Sequence, residues 1–241
     1  MRSPLFHPRS LLAGEELPPQ AAKSTVVPTF SARQYWEDRH GTLRGQLKAV
    51  GHVCLTEEAN AQQYTVKVER LSHVLQDHVG PRRGATLLDA GCGIGALIPF
   101  YRELGFEVTG VDISPTAISE ARARGIDALL LVARLDELRL GRRFDAVLAV
   151  DVLQHVTEDA EWLRTLASLE RHLSSDGRLV ILDCMSDFAN SAQHCRRRAQ
   201  ETYVAALESL DLLIIEHQQF RLEHEDSTKD LLVARRGSPI E

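Results

Sequence analysis

A cluster of glycines after a short apolar run is the feature of this sequence with the clearest chemistry. Gly91, Gly93 and Gly95 follow the run that ends at Asp89, and a helical pattern comes next. Glycines at a strand-to-helix turn let the backbone approach a ligand without Cβ clashes, close to the helix N-terminal amides. Together with Ala96 they satisfy the relaxed G-x-G-x-x-G/A pattern of dinucleotide-binding loops. The loop alone therefore predicts a nucleotide-like ligand and leaves an NAD-dependent oxidoreductase open.

The position of Asp89, two residues before the first glycine, favours a different ligand. A carboxylate would repel the dianionic pyrophosphate of NAD, whereas it would attract the ammonium group of a methionine moiety. The stretch from Asp89 to Gly95 also resembles motif I, D-x-G-x-G-x-G, of class I S-adenosylmethionine-dependent methyltransferases. The resemblance implies S-adenosyl-L-methionine as cofactor, S-adenosyl-L-homocysteine as product, and cofactor contacts by Asp89, Gly91, Cys92 and Gly93.

A second acid, Asp112, ends the next predicted strand, where a carboxylate can accept hydrogen bonds from both hydroxyls of a ribose. NAD and S-adenosylmethionine both carry such a ribose, so Asp112 supports nucleoside binding without choosing between them. Ile113 follows and can cover one face of the adenine, whereas Ser114 and Pro115 are typical of a helix N-terminus.

The segment after the third predicted strand departs from the family pattern. An acid often stands there in the family and binds the adenine amino group, but the matching residue here is Arg134. Either Asp136 takes that role, or backbone groups of Arg134 and Leu135 contact the adenine. This departure also leaves open a non-catalytic, methyltransferase-like binding protein.

The loop after the fourth predicted strand carries Asp151, Val152 and His155. It resembles the family's loop that holds the methionine end of the cofactor, which implies cofactor contacts by Asp151 and Val152. In open α/β sheets the ligand lies at the carboxyl ends of the strands, so this loop should face the transferable methyl group. His155 is the candidate general base, because an unperturbed imidazole titrates near neutral pH. The alternative is a histidine that packs against the sheet or lines the cofactor pocket.

A short aromatic and basic cluster in the N-terminal segment is predicted to act as a lid. Tyr35 or Trp36 would cover the sulfonium, a cation that aromatic faces attract, and Arg39 would pair with the methionine carboxylate. Tyr35 and Tyr64 are predicted on the substrate side of this lid. Core packing is the alternative for Tyr64, and docking of the helix on the core is the alternative for Trp36.

The opposite wall should come from residues 184–190, which follow the fifth predicted strand and include Met185 and Phe188 on the substrate side. This wall is short and carries no inserted cap domain. We therefore expect a small-molecule acceptor, a metabolite or natural product, with O- or N-methylation favoured. Transfer by in-line displacement needs mainly proximity, alignment and exclusion of water.

Hydrophobic periodicity predicts an alternating α/β pattern around these residues. The predicted strands are 87–89, 106–111, 128–132, 144–150, 178–183, 212–220 and 229–235. The predicted helices are 31–47, 58–79, 95–104, 115–124, 158–173 and 191–209. The last two strands have no helix between them, so the final strand should be antiparallel. The pattern predicts a doubly wound, seven-stranded, mostly parallel sheet, the Rossmann-like methyltransferase fold.

Three segments are expected along the 241 residues: a proline-rich extended leader at 1–30, a helical lid at 31–80, and the cofactor-binding domain at 81–241. The net charge of −6 argues against a nucleic-acid partner. No apolar run is long enough to span a membrane, and none resembles a secretory signal. The four cysteines form no CxxC pair, so we expect no metal site and reduced thiols in the cytoplasm. A homodimer is one oligomeric state that the sequence allows.

Overall fold

The computed structural model describes residues 30–80, 83–186, 192–223 and 228–237. The predicted leader, except for Phe30, and the predicted substrate-side residue Phe188 lie outside the described residues.

Seven strands form one sheet, and their order confirms the predicted topology. The strands are β1 (Thr86–Ala90), β2 (Glu107–Asp112), β3 (Leu129–Val132), β4 (Phe144–Val150), β5 (Leu173–Asp183), β6 (Leu212–Arg221) and β7 (Thr228–Arg236). They lie in the order β3-β2-β1-β4-β5-β7-β6. Pairing is parallel from β3 to β5, whereas β7 runs antiparallel to both of its neighbours, β5 and β6. The sheet is therefore the predicted doubly wound sheet with a reversed last strand.

The helices alternate with the strands after an N-terminal helical segment. They are α1 (Ala32–Thr42), α2 (Glu57–Val74), α3 (Ile98–Glu103), α4 (Pro115–Ala123), α5 (Asp159–Arg171) and α6 (Gln200–Glu208), with a π-helical turn over Leu75–Val79. Side-chain caps begin three of them, because Ser31, Thr56 and Ser114 each accept a hydrogen bond from a backbone amide of the first turn. Among the described residues, no helix is both long and apolar enough to cross a membrane.

Both faces of the sheet are covered, as alternating side chains of the central strands show. On β1, Leu87 packs into one apolar cluster with Tyr101 of α3, and Leu88 packs into the other with Trp162 of α5. All four side chains are at most 2 % exposed. Burying both faces fixes the strand register, because a shift by one residue would exchange the two clusters. The carboxyl ends of the strands are thereby held in place for a site.

Two predicted helices are shorter in the structure than the periodicity suggested. The predicted helix 31–47 ends at Thr42, and Gly45 follows with a positive φ of 81° that a helix does not accept. The predicted helix 191–209 begins only at Gln200. The chain before it is held to the β4–α5 segment instead, because the amide of Arg196 donates to the carbonyl of Gln154 at 2.7 Å.

Candidate functional site

A cavity opens at the carboxyl ends of β1, β2 and β4, beneath helix α1. It is lined by residues of the glycine loop, of α1 and α2, and of the segments after β2, β3 and β4. They are Ala32, Trp36, His40, Val50, Tyr64, Asp89, Gly91, Cys92, Gly93, Ala96, Leu97, Asp112, Ile113, Arg134, Leu135, Val150, Asp151, Val152, His155, Val156, Glu161 and Thr165. Most of the predicted site residues thus meet in one place.

The glycine loop is packed so closely that side chains at two of its positions would not fit. Gly91 has a φ of 83°, and a Cβ added there would lie 2.4 Å from Cγ2 of Val152. Gly93 has a φ of 53°, and a Cβ added there would lie 2.4 Å from Cγ1 of Val50. The missing side chains leave the backbone open to the cavity, which fits a loop that cradles a ligand.

Asp112 is oriented by the backbone on either side of it. One carboxylate oxygen accepts from the amide of Gly93 and the other from the amide of Ser114, each at 2.9 Å. Burial raises the pKa of Asp112, whereas these hydrogen bonds act against the rise. Each oxygen retains a further lone pair, so the carboxylate can still accept hydrogen bonds from a diol.

Asp89 brings a second carboxyl group into the same cavity. Its side chain is only 3 % exposed. Burial, with the neighbouring charge of Asp112, raises the pKa of Asp89 to about 7. A cationic group bound beside Asp89 would favour its ionised form, so the site is suited to an ammonium group.

Asp151 is held between two lysines at the end of β4. The ammonium groups of Lys67, on α2, and Lys229, on β7, each lie 2.7 Å from one of its carboxylate oxygens. Burial would raise the pKa of Asp151, but the two ammonium groups outweigh it and hold the pKa well below its usual range. The ion pairs join three separate elements around a residue whose φ of 53° is left-handed.

His155 lines the cavity as a neutral ring in a defined orientation. Its Nδ1 lies 2.8 Å from the carbonyl oxygen of His194, so Nδ1 carries the proton and donates, and Nε2 keeps the lone pair. Burial lowers the pKa of His155 to about 4. The ring meets the indole of Trp36 edge to face at a centroid distance of 4.8 Å. This tautomer can accept a proton or a hydrogen bond through Nε2.

Three predicted residues lie outside the lining of this cavity. The guanidinium of Arg39 donates to the carbonyls of Lys48, at 2.8 Å, and of Gly51, which ties α1 to the chain that follows it. Tyr35 stacks on His194 at 4.3 Å and lines a second, shallower hollow. Met185 is buried, and its amide donates to Asp230 at 3.1 Å.

The segment after β3 presents an arginine to the cavity, and the nearby acid is already paired. Arg134 lies within 3.1 Å of Asp136 and 3.0 Å of Glu161, and Arg164 lies 3.2 Å from Asp136. Asp136 is outside the cavity lining, whereas Arg134 and Leu135 belong to it. The geometry therefore favours Arg134 and Leu135, the second of the two alternatives drawn from the sequence.

Sequence reasoning missed several lining residues, among them His40. Its position four residues after Trp36 places it on the same face of α1, a signal that helical spacing does contain. Glu161 and Thr165, on α5, were missed because nothing local links α5 to the β1 loop.

Comparison with known proteins finds relatives of the segment that contributes most of this cavity. A family model described as a methyltransferase domain matches residues 88–181. A ubiquinone biosynthesis O-methyltransferase of Methylobacterium sp. (strain 4-46) is 37 % identical over 106 residues, 41 % of this chain and 43 % of that protein. The enzyme of the same name from Caulobacter vibrioides is 40 % identical over 95 residues, 37 % of this chain and 38 % of that protein. The matches thus cover less than half of either relative.

Solved structures agree with the fold across most of the described chain. Magnesium protoporphyrin IX methyltransferase of Synechocystis PCC 6803 with bound S-adenosylmethionine gives a TM-score of 0.67 at 20 % identity, covering 87 % of this chain and 99 % of that one. The 1,6-didemethyltoxoflavin-N1-methyltransferase of Burkholderia thailandensis gives 0.65 at 23 % identity, covering 91 % and 99 %. Residues 88–181 of this chain are therefore similar to a methyltransferase domain, and the described chain shares the fold of these methyltransferase structures.

Proposed function

We propose that this chain binds S-adenosylmethionine and transfers its methyl group to a small-molecule acceptor. The observation that carries the proposal is the meeting of Asp89, the glycine loop and Asp112 in the lining of one cavity. The loop offers backbone without side chains, Asp112 offers acceptors for a ribose, and Asp89 offers a partner for an ammonium group. S-adenosylmethionine is an adenosine joined to an amino acid, so it carries both the ribose and the ammonium group that these residues would bind.

The chain's own residues would orient the ligand and keep water out. S-adenosylmethionine supplies a methyl group that its sulfonium already makes electrophilic. Ile113, Arg134 and Leu135 would surround the adenine, and Asp151 and Val152 would border the methionine end. Trp36 would cover the sulfonium, where an aromatic face stabilises a cation. Arg39 would act indirectly, by fixing α1, since one nitrogen of its guanidinium donates to two backbone carbonyls.

The acceptor is expected beside His155, on the side of Tyr35, Tyr64 and the segment that contains Met185 and Phe188. The neutral Nε2 of His155 can accept a hydrogen bond from an acceptor hydroxyl or amine. Two named relatives act in ubiquinone biosynthesis as O-methyltransferases, and a structural neighbour is an N-methyltransferase. We therefore favour oxygen or nitrogen of a small organic molecule as the acceptor atom.

Further parts of the proposal concern the whole protein. We propose that residues 31–80 form a lid over the domain at 81–241, that the protein works in the cytoplasm, and that nucleic acid is not its partner. A homodimer is proposed as its assembly. Size-exclusion chromatography with light scattering measures the assembly, and a mass of a single 26.9 kDa chain would contradict the homodimer.

Calorimetry tests the cofactor directly. We expect S-adenosylhomocysteine to bind with a micromolar dissociation constant and NAD not to bind, because Asp89 would repel a pyrophosphate. Asp112→Ala should weaken S-adenosylhomocysteine binding more than tenfold, since it removes both ribose acceptors. Turnover is then measured as S-adenosylhomocysteine released with hydroxylated and amino-substituted aromatic acceptors. Absence of binding by the folded wild-type protein would refute the proposal.

A further inference from the structure

Helix α1 docks on the turn between β2 and α4 through one carboxylate. Glu37 accepts hydrogen bonds from Ser114 Oγ at 2.7 Å, from the amide of Thr116 at 3.1 Å, and from the hydroxyl of Thr116. The hydroxyls of Thr116 and Ser114 lower the pKa of Glu37, so the side chain is ionised at neutral pH. An anion at the N-terminus of α4 is also favoured by the helix dipole. The contact places this turn of α1 beside Asp112.

His40 lies one helical turn beyond Glu37 and points toward the same region. It is 1 % exposed and belongs to the cavity lining. Its Nδ1 is buried and has no hydrogen-bond partner in the part of the chain that the structure describes. Buried polar atoms in native proteins almost always have a partner, whether from protein, water or ligand. His40 thus lines the cavity and has a ring nitrogen whose hydrogen-bonding capacity is unused, which makes it a candidate for a ligand contact.

The charges around His40 identify which part of a ligand it would meet. Burial lowers the pKa of His40, and the charges of Asp112, Arg39, Glu120 and Glu37 act on the ring. The neutral imidazole has one donor and one acceptor nitrogen. Of these charges, that of Asp112, the predicted ribose acceptor, has the largest effect on the pKa of His40. A hydroxyl bonded to Asp112 would lie near the ring and could also bond to it.

We propose that His40 is a ribose-binding residue, which forms a hydrogen bond with a ribose hydroxyl that Asp112 also holds. Helix α1 then supplies part of the nucleoside site, and Glu37 keeps that helix in register. The inference rests on the proposed function, because it takes the ligand at Asp112 to be the ribose of S-adenosylmethionine. It adds a residue that the glycine loop and the acid after β2 do not imply.

The test compares S-adenosylhomocysteine with its 2′-deoxy and 3′-deoxy analogues by calorimetry on the full chain. Each analogue loses a hydroxyl that Asp112 can hold, but only one of them also loses the hydrogen bond to His40. Wild type should therefore bind that analogue about tenfold more weakly than the other analogue. In His40→Leu this excess discrimination should shrink to less than about twofold. His40→Gln, which restores an amide near the same place, should recover part of it. A residue that only packs α1 would weaken all three ligands equally.

His172→Gln is the matched control. His172 is 3 % exposed, but its ring nitrogens lie 2.7 Å from the carbonyl of Ser168 and 3.2 Å from the amide of Leu140, outside the cavity lining. This substitution should lower thermal stability and leave the ratio of the three affinities unchanged. A second measurement follows wild type by NMR and needs His40→Gln only to assign the signal, so that it does not depend on His40→Leu folding. The imidazole NMR signal that His40→Gln lacks should shift on addition of S-adenosylhomocysteine.

Two outcomes would overturn the inference in distinguishable ways. If wild type and His40→Leu show the same ratio of the three affinities, or the imidazole signal does not shift, His40 does not contact the ribose. The proposed function would survive that result. If folded wild type binds none of the three ligands, the proposed function fails and the inference fails with it.

Discussion

Cofactor binding should release a proton, because the carboxyl group of Asp89 is half-protonated near pH 7 in the free protein. Its pKa is about 7 in this buried position. A bound ammonium group would favour the ionised form, so binding and deprotonation are linked. At pH 6 about 0.9 of the Asp89 side chains are protonated, and at pH 8 about 0.1 are. Binding of S-adenosylhomocysteine should therefore release about 0.9 proton at pH 6 and about 0.1 at pH 8.

The same linkage fixes the change in affinity. The dissociation constant should fall about tenfold between pH 6 and pH 8, which corresponds to about 1.4 kcal/mol. Calorimetry in two buffers of different ionisation enthalpy measures the released protons. Asp89→Asn should abolish the release and flatten the affinity profile. Asp183→Asn is the control, because burial also raises the pKa of Asp183 to about 7, but Asp183 lies outside the cavity lining. Equal release by wild type and Asp89→Asn would refute this reasoning.

Three further substitutions test the site. Gly91→Ala should weaken S-adenosylhomocysteine binding more than about tenfold. Gly125→Ala is the control: Gly125 has a similar φ of 69° but open space around it, so this substitution should lower only the free energy of unfolding, by about 1–2 kcal/mol. Equal affinities in the two variants would contradict a glycine loop that cradles the ligand. His155→Asn should lower kcat about a hundredfold with little change in cofactor affinity, because Nε2 of His155 would take the proton. The wild-type rate should show no ionisation of His155 near pH 6.5, since the pKa of His155 is about 4. An inflection near pH 6.5 that His155→Asn removes would contradict this assignment. Lys67→Met should lower the free energy of unfolding at pH 7 by about 2 kcal/mol, measured with urea. The folded pKa of Asp151 is depressed, so the stability from its ion pairs is present above about pH 4 and is lost as the pH falls below that value. An unfolding midpoint at pH 7 that is the same in Lys67→Met and wild type would contradict the role of Lys67.

The parts of the site that the sequence predicts well are those set by neighbours in the chain. Gly91 and Asp112 were recognisable because a turn and a strand end each need a particular residue type at that place. The reversed direction of β7 followed from the missing helix between β6 and β7, since a short connection allows only antiparallel pairing. These are local constraints, so a single sequence contains them.

The parts that the sequence did not predict depend on contacts between distant segments. Arg39 was expected to bind a carboxylate and to line the cavity, but it lies outside the lining, and one of its guanidinium nitrogens donates to two carbonyls of the chain after α1. The lysines that flank Asp151 are 84 and 78 residues away in the chain, at Lys67 and Lys229. No periodicity or propensity reports such a pairing. The pairing depends on the fold, which brings Lys67 of α2 and Lys229 of β7 to the residue that follows β4.

Helix α1, as part of the proposed lid, should also limit how fast ligands exchange. Its Trp36 and His40 line the cavity, while Glu37 holds the helix to α4 with three hydrogen bonds. A ligand covered in this way leaves only after the helix detaches, so release should be unimolecular and slow compared with diffusion. Enzymes with such a step are often limited by product departure rather than by chemistry. In stopped-flow experiments, Glu37→Gln should then speed the departure of S-adenosylhomocysteine, and turnover would rise even though no reacting atom has been touched.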